Sequence, residues 1–390
     1  MTEFVGYEFL RGHYQLPVFP IAQPARIAAV MRIIAQEDVL LVPSGVAPHS
    51  HSPLDHVLFA LKHEGTNLQV LAEVMPHVTT EDIGRAVWSK PNSSYVRIAA
   101  YLWEHFTGIQ LTDVPSITAS TVPVFNANRY VVSAFPQKNA RWRVAFNGLG
   151  DLDYCVTVRR TEAIQKLLDE NILEQTRRFF EQTEKPVMDR AITWAFLSET
   201  EGSFAIERET PPENKAEAFV RWVLAQSGKM ETAVTGKMLL PVSVAMKRHE
   251  QEYLDALQSF SKPSRSLWDV RWIDQEQFDF KLNGGAFYRY WDATDVVRFS
   301  LQMAKAALRE DLQAEVNALI RYDAIYRKVD AAYDVRNSDL SLLIRSCMQN
   351  AGIVSKNRRK KFAATVPEPV FDAIEQAWSE GAVSLPRDAY

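Results

Sequence analysis

A mainly α-helical fold with a short strand-rich segment is what the sequence predicts, and three observations carry that prediction. Apolar residues recur at helical spacing over most of the chain, in runs such as SSYVRIAAYLWEHFTG and PVMDRAITWAFLSETEGSF. Between about residues 111 and 160 the texture changes to β-branched and aromatic residues broken by Pro, Asn and Gly. From Ser338 onward three short helical patterns follow one another, the size of a unit used both for DNA binding and as plain structure. The expected organisation is a helical N-terminal region over 1–110, a strand-rich segment over 111–160, a helical domain over 161–325 and a small C-terminal unit over 326–390.

In the first region, residues from about 24 to 108 read as helical. SPLDHVLFALKHEGTNLQVLAEVMPHV starts at a Ser-Pro cap, and SSYVRIAAYLWEHFTG places apolar residues at helical spacing before Gly108 ends it. The segments ITASTVPVFNANRYVVSAF, ARWRVAFNGLG and LDYCVTVRR suit short strands or an irregular arm. Thr161 then caps one long amphipathic helix with Ile164, Leu167, Leu168, Ile172 and Phe179 on its core face. The next helix carries Val187, Ile192, Phe196 and Leu197 inward. Ser243 starts another, with Met246, Tyr253, Leu254 and Leu257 inward.

WDVRWIDQEQFDFKLNG alternates like one hairpin, and YRYWDATDVVRFSLQMAKAALREDL reads as a long helix capped near Asp292 or Thr294. The closing patterns are SDLSLLIRSCMQNAG, SKNRRKKFAA and TVPEPVFDAIEQAW. In the last, Thr365 and Glu368 have the spacing of a capping box.

Bulk properties narrow the class. A net charge of −4 and a pI near 6.1 describe a soluble chain that is not a general polyanion binder, and 47% hydrophobic residues exclude a disordered or fibrous one. Cys155 and Cys347 match no zinc or redox spacing, which predicts buried thiols in a reducing, cytoplasmic setting. MTEFVGYEFLRGHYQ has no apolar signal region, and no apolar run approaches membrane-span length.

Few residues announce chemistry. PHSHSPLDH gathers His49, His51, Asp55 and His56, donors that suit a borderline metal, but in one proline-broken loop that reads rather as an exposed approach to a helix. Only His249 follows His105 among the histidines, on the polar KRHE face of its helix. No phosphate loop, dinucleotide fingerprint or nucleophile elbow is present, and NGLGD and NGG read as turns. Lys356, Arg358, Arg359, Lys360 and Lys361 place five positive charges on one short helix, either to meet nucleic-acid phosphates or as a solvated basic face.

SFAIERETPP resembles the S-x-x-x-E-G/N inhibitory motif of Fic (Fido-domain) proteins. LLPVSVAMKRHEQEYLDALQSFSKP is similar to the segment after the catalytic core of a large bacterial Fic group. AFYRYWDAT and QNAGIVSKNRRKKFAATVPEPVFDAIEQAW are similar to that group's winged-helix-like end. FALKHEGTNLQVLAEV, the YLWEHFTG helix and RWRVAFNGLGDLDYCVTVRRTEAI resemble its N-terminal region. The resemblance spans nearly the whole chain. It implies an incomplete Fic-like helical scaffold with a C-terminal winged-helix-like unit, and an activity that transfers AMP from ATP, with a divalent metal, to a hydroxyl of a target protein.

That activity depends in the family on H-P-F-x-x-G-N-G-R, in which the histidine is the general base and the glycine-rich turn and arginine hold phosphates. This sequence has no His-Pro dipeptide and no Gly-Asn-Gly. ENKAEAFVRW and VLAQSGKMETAVTGKM, which flank a block of helices in the family, meet here near Trp222 and Val223. The resemblance gives Ser203 and Glu207 the place of the inhibitory serine and glutamate, one helical turn apart. Arg208 departs from the usual Gly or Asn, and the arginine that Glu207 would meet is missing.

The expectation is therefore a Fic-like protein inactive in AMP transfer as written, with a DNA-binding or regulatory role through residues 338–378 as the alternative. A missing helical block would uncover apolar residues such as Ile164 and Leu168, which predicts a homodimer or aggregate.

Overall fold

The structure, a computed structural model, describes residues 3–206, 240, 242–256 and 289–381. The chain divides into two compact units, Met1–Glu170 with Gln251–Ser300, and Asn171–Glu250 with Leu301–Tyr390. Helices dominate, and the strands gather into small sheets in the first unit.

The first unit opens on strand β1 (Phe4–Val5) and helix α1 (Gly6–His13), followed by β2 (Ala25–Ala28), β3 (Ile34–Ala35) and β4 (Leu40–Pro43). These form one sheet in the order β1-β2-β4-β3, with β2 and β4 parallel. The reading of residues 24–43 as helical is thus corrected. Leu40 and Val42 are buried while Leu41 and Pro43 are only partly covered, the period-2 burial of a strand, in a run too short to register against the helical pattern that follows.

Helices α2 (Pro53–His63), α3 (Leu68–Val74), α4 (Thr80–Ser89) and α5 (Ser94–Thr107) follow as the sequence predicts, with Gly108 in the left-handed conformation ending α5. Asn67 and Thr79 cap α3 and α4 by accepting the amides of Val70 and Asp82. Val57, Leu71, Ile83 and Trp103 meet in one core, which extends into the strand-rich segment through Trp142 and Phe146. Glu104 of α5 binds that segment down, accepting the Trp142 indole N–H at 2.7 Å and the Leu111 amide at 2.9 Å, and pairing with Arg141 at 3.1 Å.

The segment itself holds β5 (Val122–Pro123), β6 (Gln137–Asn139), β7 (Val144–Phe146), β8 (Leu149–Gly150) and β9 (Cys155–Thr157). NGLGD is only partly a turn. Asn147 is buried and exchanges hydrogen bonds with the backbone of Phe125, its Oδ1 accepting the amide and its Nδ2 donating to the carbonyl, both at 2.9 Å. Leu149 and Gly150 then pair as a strand with Val156 and Cys155. A late strand, β10 (Tyr290–Asp292), lies parallel to β9 with Tyr290 opposite Cys155. YWD was expected inside or capping a helix; pairing with β9 instead satisfies its backbone, and the helix begins only at Thr294.

Thr161 caps α6 (Glu162–Asp169) by accepting the Ile164 amide, but the helix does not continue to Phe179. Asn171 takes a left-handed φ of 47° and caps a separate helix, α7 (Ile172–Gln182), through the Glu174 amide. Nor is Ile164 uncovered. It is fully buried against Val158 and Ala293, with Leu168 packed on the same cluster.

In the second unit, α7, α8 (Lys185–Ile206) and α9 (Val242–Arg248) pack with a long C-terminal helix. That helix begins as α10 (Thr294–Ala306), which belongs to the second unit from Leu301 onward, passes through a π-helical turn (Ala307–Leu312) and continues as α11 (Gln313–Ala332). The wide turn presents Asp311 to Arg248, whose guanidinium donates to both carboxylate oxygens at 2.5 and 3.1 Å. Residues 257–288, including the expected hairpin and Leu257, lie outside the described residues.

Helices α12 (Asn337–Gln349), α13 (Lys356–Phe362) and α14 (Glu368–Gly381) close the chain as read from the sequence. Leu343, Ile344, Phe371 and Ile374 form their core with Ile325 and Val329 of α11. Gly352, at φ +93°, is required in the turn after α12, because a Cβ there would stand 2.1 Å from the Trp378 ring. The capping box does not form. Thr365 donates to the Phe362 carbonyl at 3.4 Å, and Glu368 is drawn to Arg359 at 2.8 Å instead. The residues after Gly381 lie outside the described residues.

Candidate functional site

The site is built at the start of α1, a helix whose sequence supplies no cap of its own. Val5 precedes it and makes no side-chain bond to its orphan amides. Two side chains from α2 and its end do so instead. His56 Nδ1 accepts the Gly6 N–H at 3.1 Å, and Glu64 Oε1 accepts the Tyr7 N–H at 3.0 Å. Because Nδ1 is an acceptor, the His56 proton sits on Nε2, which donates to the Ser50 carbonyl at 3.1 Å.

Burial sets the chemistry of both groups. It holds the His56 imidazole down to about 4, only partly opposed by the Ser50 bond, so the ring is neutral near pH 7. It pushes the Glu64 carboxyl up to about 8 despite the Tyr7 amide. Glu64 Oε2 is sealed from solvent and has no hydrogen-bond partner. A neutral carboxyl, still carrying a proton to give, therefore stands at this point of the fold.

Glu64 lies in the wall of a cavity of about 610 Å³, within the range of small-molecule sites. The residues that follow it shape the floor. Tyr7 donates its hydroxyl to the Gly65 carbonyl at 2.8 Å, and Thr66 donates to the Val124 carbonyl at 2.6 Å. Gln69 ties α3 to β10 by donating to the Tyr290 carbonyl at 2.9 Å. Beside them, the Tyr130–Arg159 bridge and the Arg160 amide donating to the Arg129 carbonyl at 2.8 Å hold Arg129, Arg159 and Arg160 together in the lining. Phe19, Ile21 and Trp291 supply apolar wall.

Sequence reading did not single out Glu64 or these arginines. A signal was present: a helix starting at Gly6 without Ser, Thr, Asp or Asn before it must borrow its cap from elsewhere in the chain.

The histidine-rich run is placed beside α1. His56 is buried and uses both ring nitrogens, Asp55 takes the Ser50 hydroxyl, and His51 stacks on Phe9 at 5.5 Å, with His49 exposed. Among the described residues no three His, Cys, Asp or Glu side chains are grouped to hold a metal. The two cysteines are buried and unpaired, with burial raising both thiols.

On α13, Lys356, Lys360 and Lys361 are exposed and Arg358 is half-buried. Arg359 is already engaged with Glu368, Asp372 and Glu375, each at 2.8 Å, all on α14. The structure thus separates Arg359, a tie between helices, from the other four charges. Ser203 falls within α8, but its side chain and the whole of Glu207 lie outside the described residues, as does the junction near Trp222.

Comparison with protein-family models, with curated proteins and with solved structures finds no match. ATP with a divalent metal is the pair that the Fic resemblance implies. The sequence lacks the H-P-F-x-x-G-N-G-R cradle, and among the described residues there is no grouped donor set for the metal. Among the described residues no helix is long and apolar enough to cross a membrane.

Proposed function

We propose that this chain is a Fic-like protein that acts by binding and does not transfer AMP. One observation carries the reading: ENKAEAFVRW runs directly into VLAQSGKMETAVTGKM, with no H-P-F-x-x-G-N-G-R in the 390 residues. Losing the motif removes the base that would take the target hydroxyl's proton and the donors that would stabilise charge on the transferred phosphate. Glu207 is then a regulator without its arginine. The test is incubation with α-labelled ATP, magnesium or manganese and cytoplasmic proteins, for the wild type and Glu207→Gly. Neither is expected to label a protein, and label transferred by either overturns the reading.

A second reading, duplex DNA as the partner of the C-terminal unit, is favoured by one arrangement. Among the described residues Lys356, Arg358, Lys360 and Lys361 have no carboxylate partner, while Arg359 takes up the acidic side chains of α14. Anisotropy with random duplex DNA should show binding at low salt that weakens steeply toward physiological salt, since each phosphate contact contributes about 0.9 to the log–log slope. Absence of binding at low salt rejects it.

A further inference from the structure

We propose that the cavity of the first unit binds a small organic anion, whose phosphate or carboxylate is held by Arg129 and Arg160 and whose apolar body lies against Phe19 and Trp291. The argument begins with charge. Arg159 is paired with Asp292 at 2.8 Å. Among the described residues Arg129 and Arg160 are not so paired: Arg129 donates to the His63 carbonyl at 3.2 Å, and Arg160 donates to the Ala127 carbonyl at 3.0 Å and to the Gln165 side chain. Among the described residues every hydrogen-bond partner of these two guanidinium groups is neutral, so the bonds orient the planar forks without compensating their charge.

The remaining wall does not compensate it either. Three arginines and the aspartate Asp292 line the cavity, and the other acidic group, Glu64, is held protonated by burial. His63 is likewise held toward its neutral form by burial. The cavity therefore carries an excess of two positive charges near neutral pH. A planar fork with free N–H groups matches the paired oxygens of a carboxylate or phosphate.

Size and lining select an organic ligand over a bare ion. About 610 Å³ is far more than one anion fills, and the aromatic walls reward an apolar or planar body. The buried Glu64 carboxyl, with Oε2 lacking a partner, is a second feature of this wall that protein atoms leave unsatisfied. None of this depends on the AMP-transfer or DNA readings.

The test is titration calorimetry on the full chain with four probes: phenyl phosphate, benzoate, inorganic phosphate and benzyl alcohol. At least one of the two aromatic anions should bind one-to-one, and which one does identifies the headgroup. Inorganic phosphate and benzyl alcohol should each bind at least tenfold more weakly than that anion. Arg129→Gln and Arg160→Gln should each cost the anion about tenfold in affinity, with an unchanged circular dichroism spectrum. Arg129 is exposed, so its variant keeps the test sound should Arg160→Gln fold poorly. The proposal is overturned if neither aromatic anion saturates below roughly 10 mM, if benzyl alcohol binds as well as the anions, or if Arg129→Gln binds as the wild type does.

Discussion

His56 and Glu64, eight residues apart along α2 and its end, divide the first two amides of α1 between them, one taking Gly6 N–H and the other Tyr7 N–H. Burial drives their proton affinities in opposite senses, His56 down to about 4 and Glu64 up to about 8.

Opposite shifts predict a stability profile with a plateau and a fall. His56 binds its proton less tightly folded than at its ordinary 6.5, so its contribution rises as pH increases from 4 to 6.5. Glu64 binds its proton more tightly folded than at its ordinary 4.5, so its contribution is complete below 4.5 and is lost as pH rises to about 8. The two changes amount to about 3 and about 5 kcal/mol. Urea unfolding of the first unit should be nearly level between pH 4.5 and 6.5, then lose stability toward pH 8. Glu64→Gln should rise up to 6.5 and stay level above it.

Gly6 should tolerate no side chain. A Cβ there would fall 1.6 Å from Glu64 Oε1, on a backbone at φ +63°. Gly6→Ala must both strain the backbone and expel the carboxyl from the Tyr7 amide, at a cost of more than about 2 kcal/mol. Denaturant unfolding checks this; an alanine variant as stable as the wild type would contradict the geometry.

The π-helical turn predicts an asymmetric mutant cycle. Asp311 is buried to 8% exposure, whereas Arg248 reaches solvent. Asp311→Ala should cost roughly 2–4 kcal/mol, and the double change Arg248→Met with Asp311→Leu should cost less than that single change, since it leaves no charge stranded. Calorimetric melting of the three variants measures the coupling.

Within α13 the basic residues should behave differently. Arg359→Ala breaks three contacts to α14 and should lower the melting temperature of the second unit, while Lys356→Ala and Lys360→Ala should leave it unchanged. Any DNA affinity should show the reverse pattern, falling for the lysine variants.

Legibility from sequence followed the range of the interactions. Helices α2 to α5 and α12 to α14 were readable because local spacing and nearby caps decide them. β2 and β4 were not, since strands of four residues give too few periods and need each other to form. Asn171 broke an apparently continuous helix by a backbone conformation that the apolar pattern does not encode. The basic run was visible, but Arg359's employment was not, because its partners lie nine to sixteen residues on, in another helix. Glu64 and Arg129 were hidden for the same reason: their significance arises only when α1, α2 and the strand-rich segment meet.

The pairing of β9 with β10 sets a timetable for synthesis. Cys155 must wait for Tyr290, about 135 residues later in translation, before its edge of the sheet is closed. At ribosomal speeds this is a delay of roughly ten seconds, during which the first unit emerges with an open strand edge. The same arrangement makes the first unit indifferent to the length of what intervenes. Doubling or halving that stretch changes the closure entropy by only about 0.6 kcal/mol, so a block of helices gained or lost between the two strands leaves their register free to form.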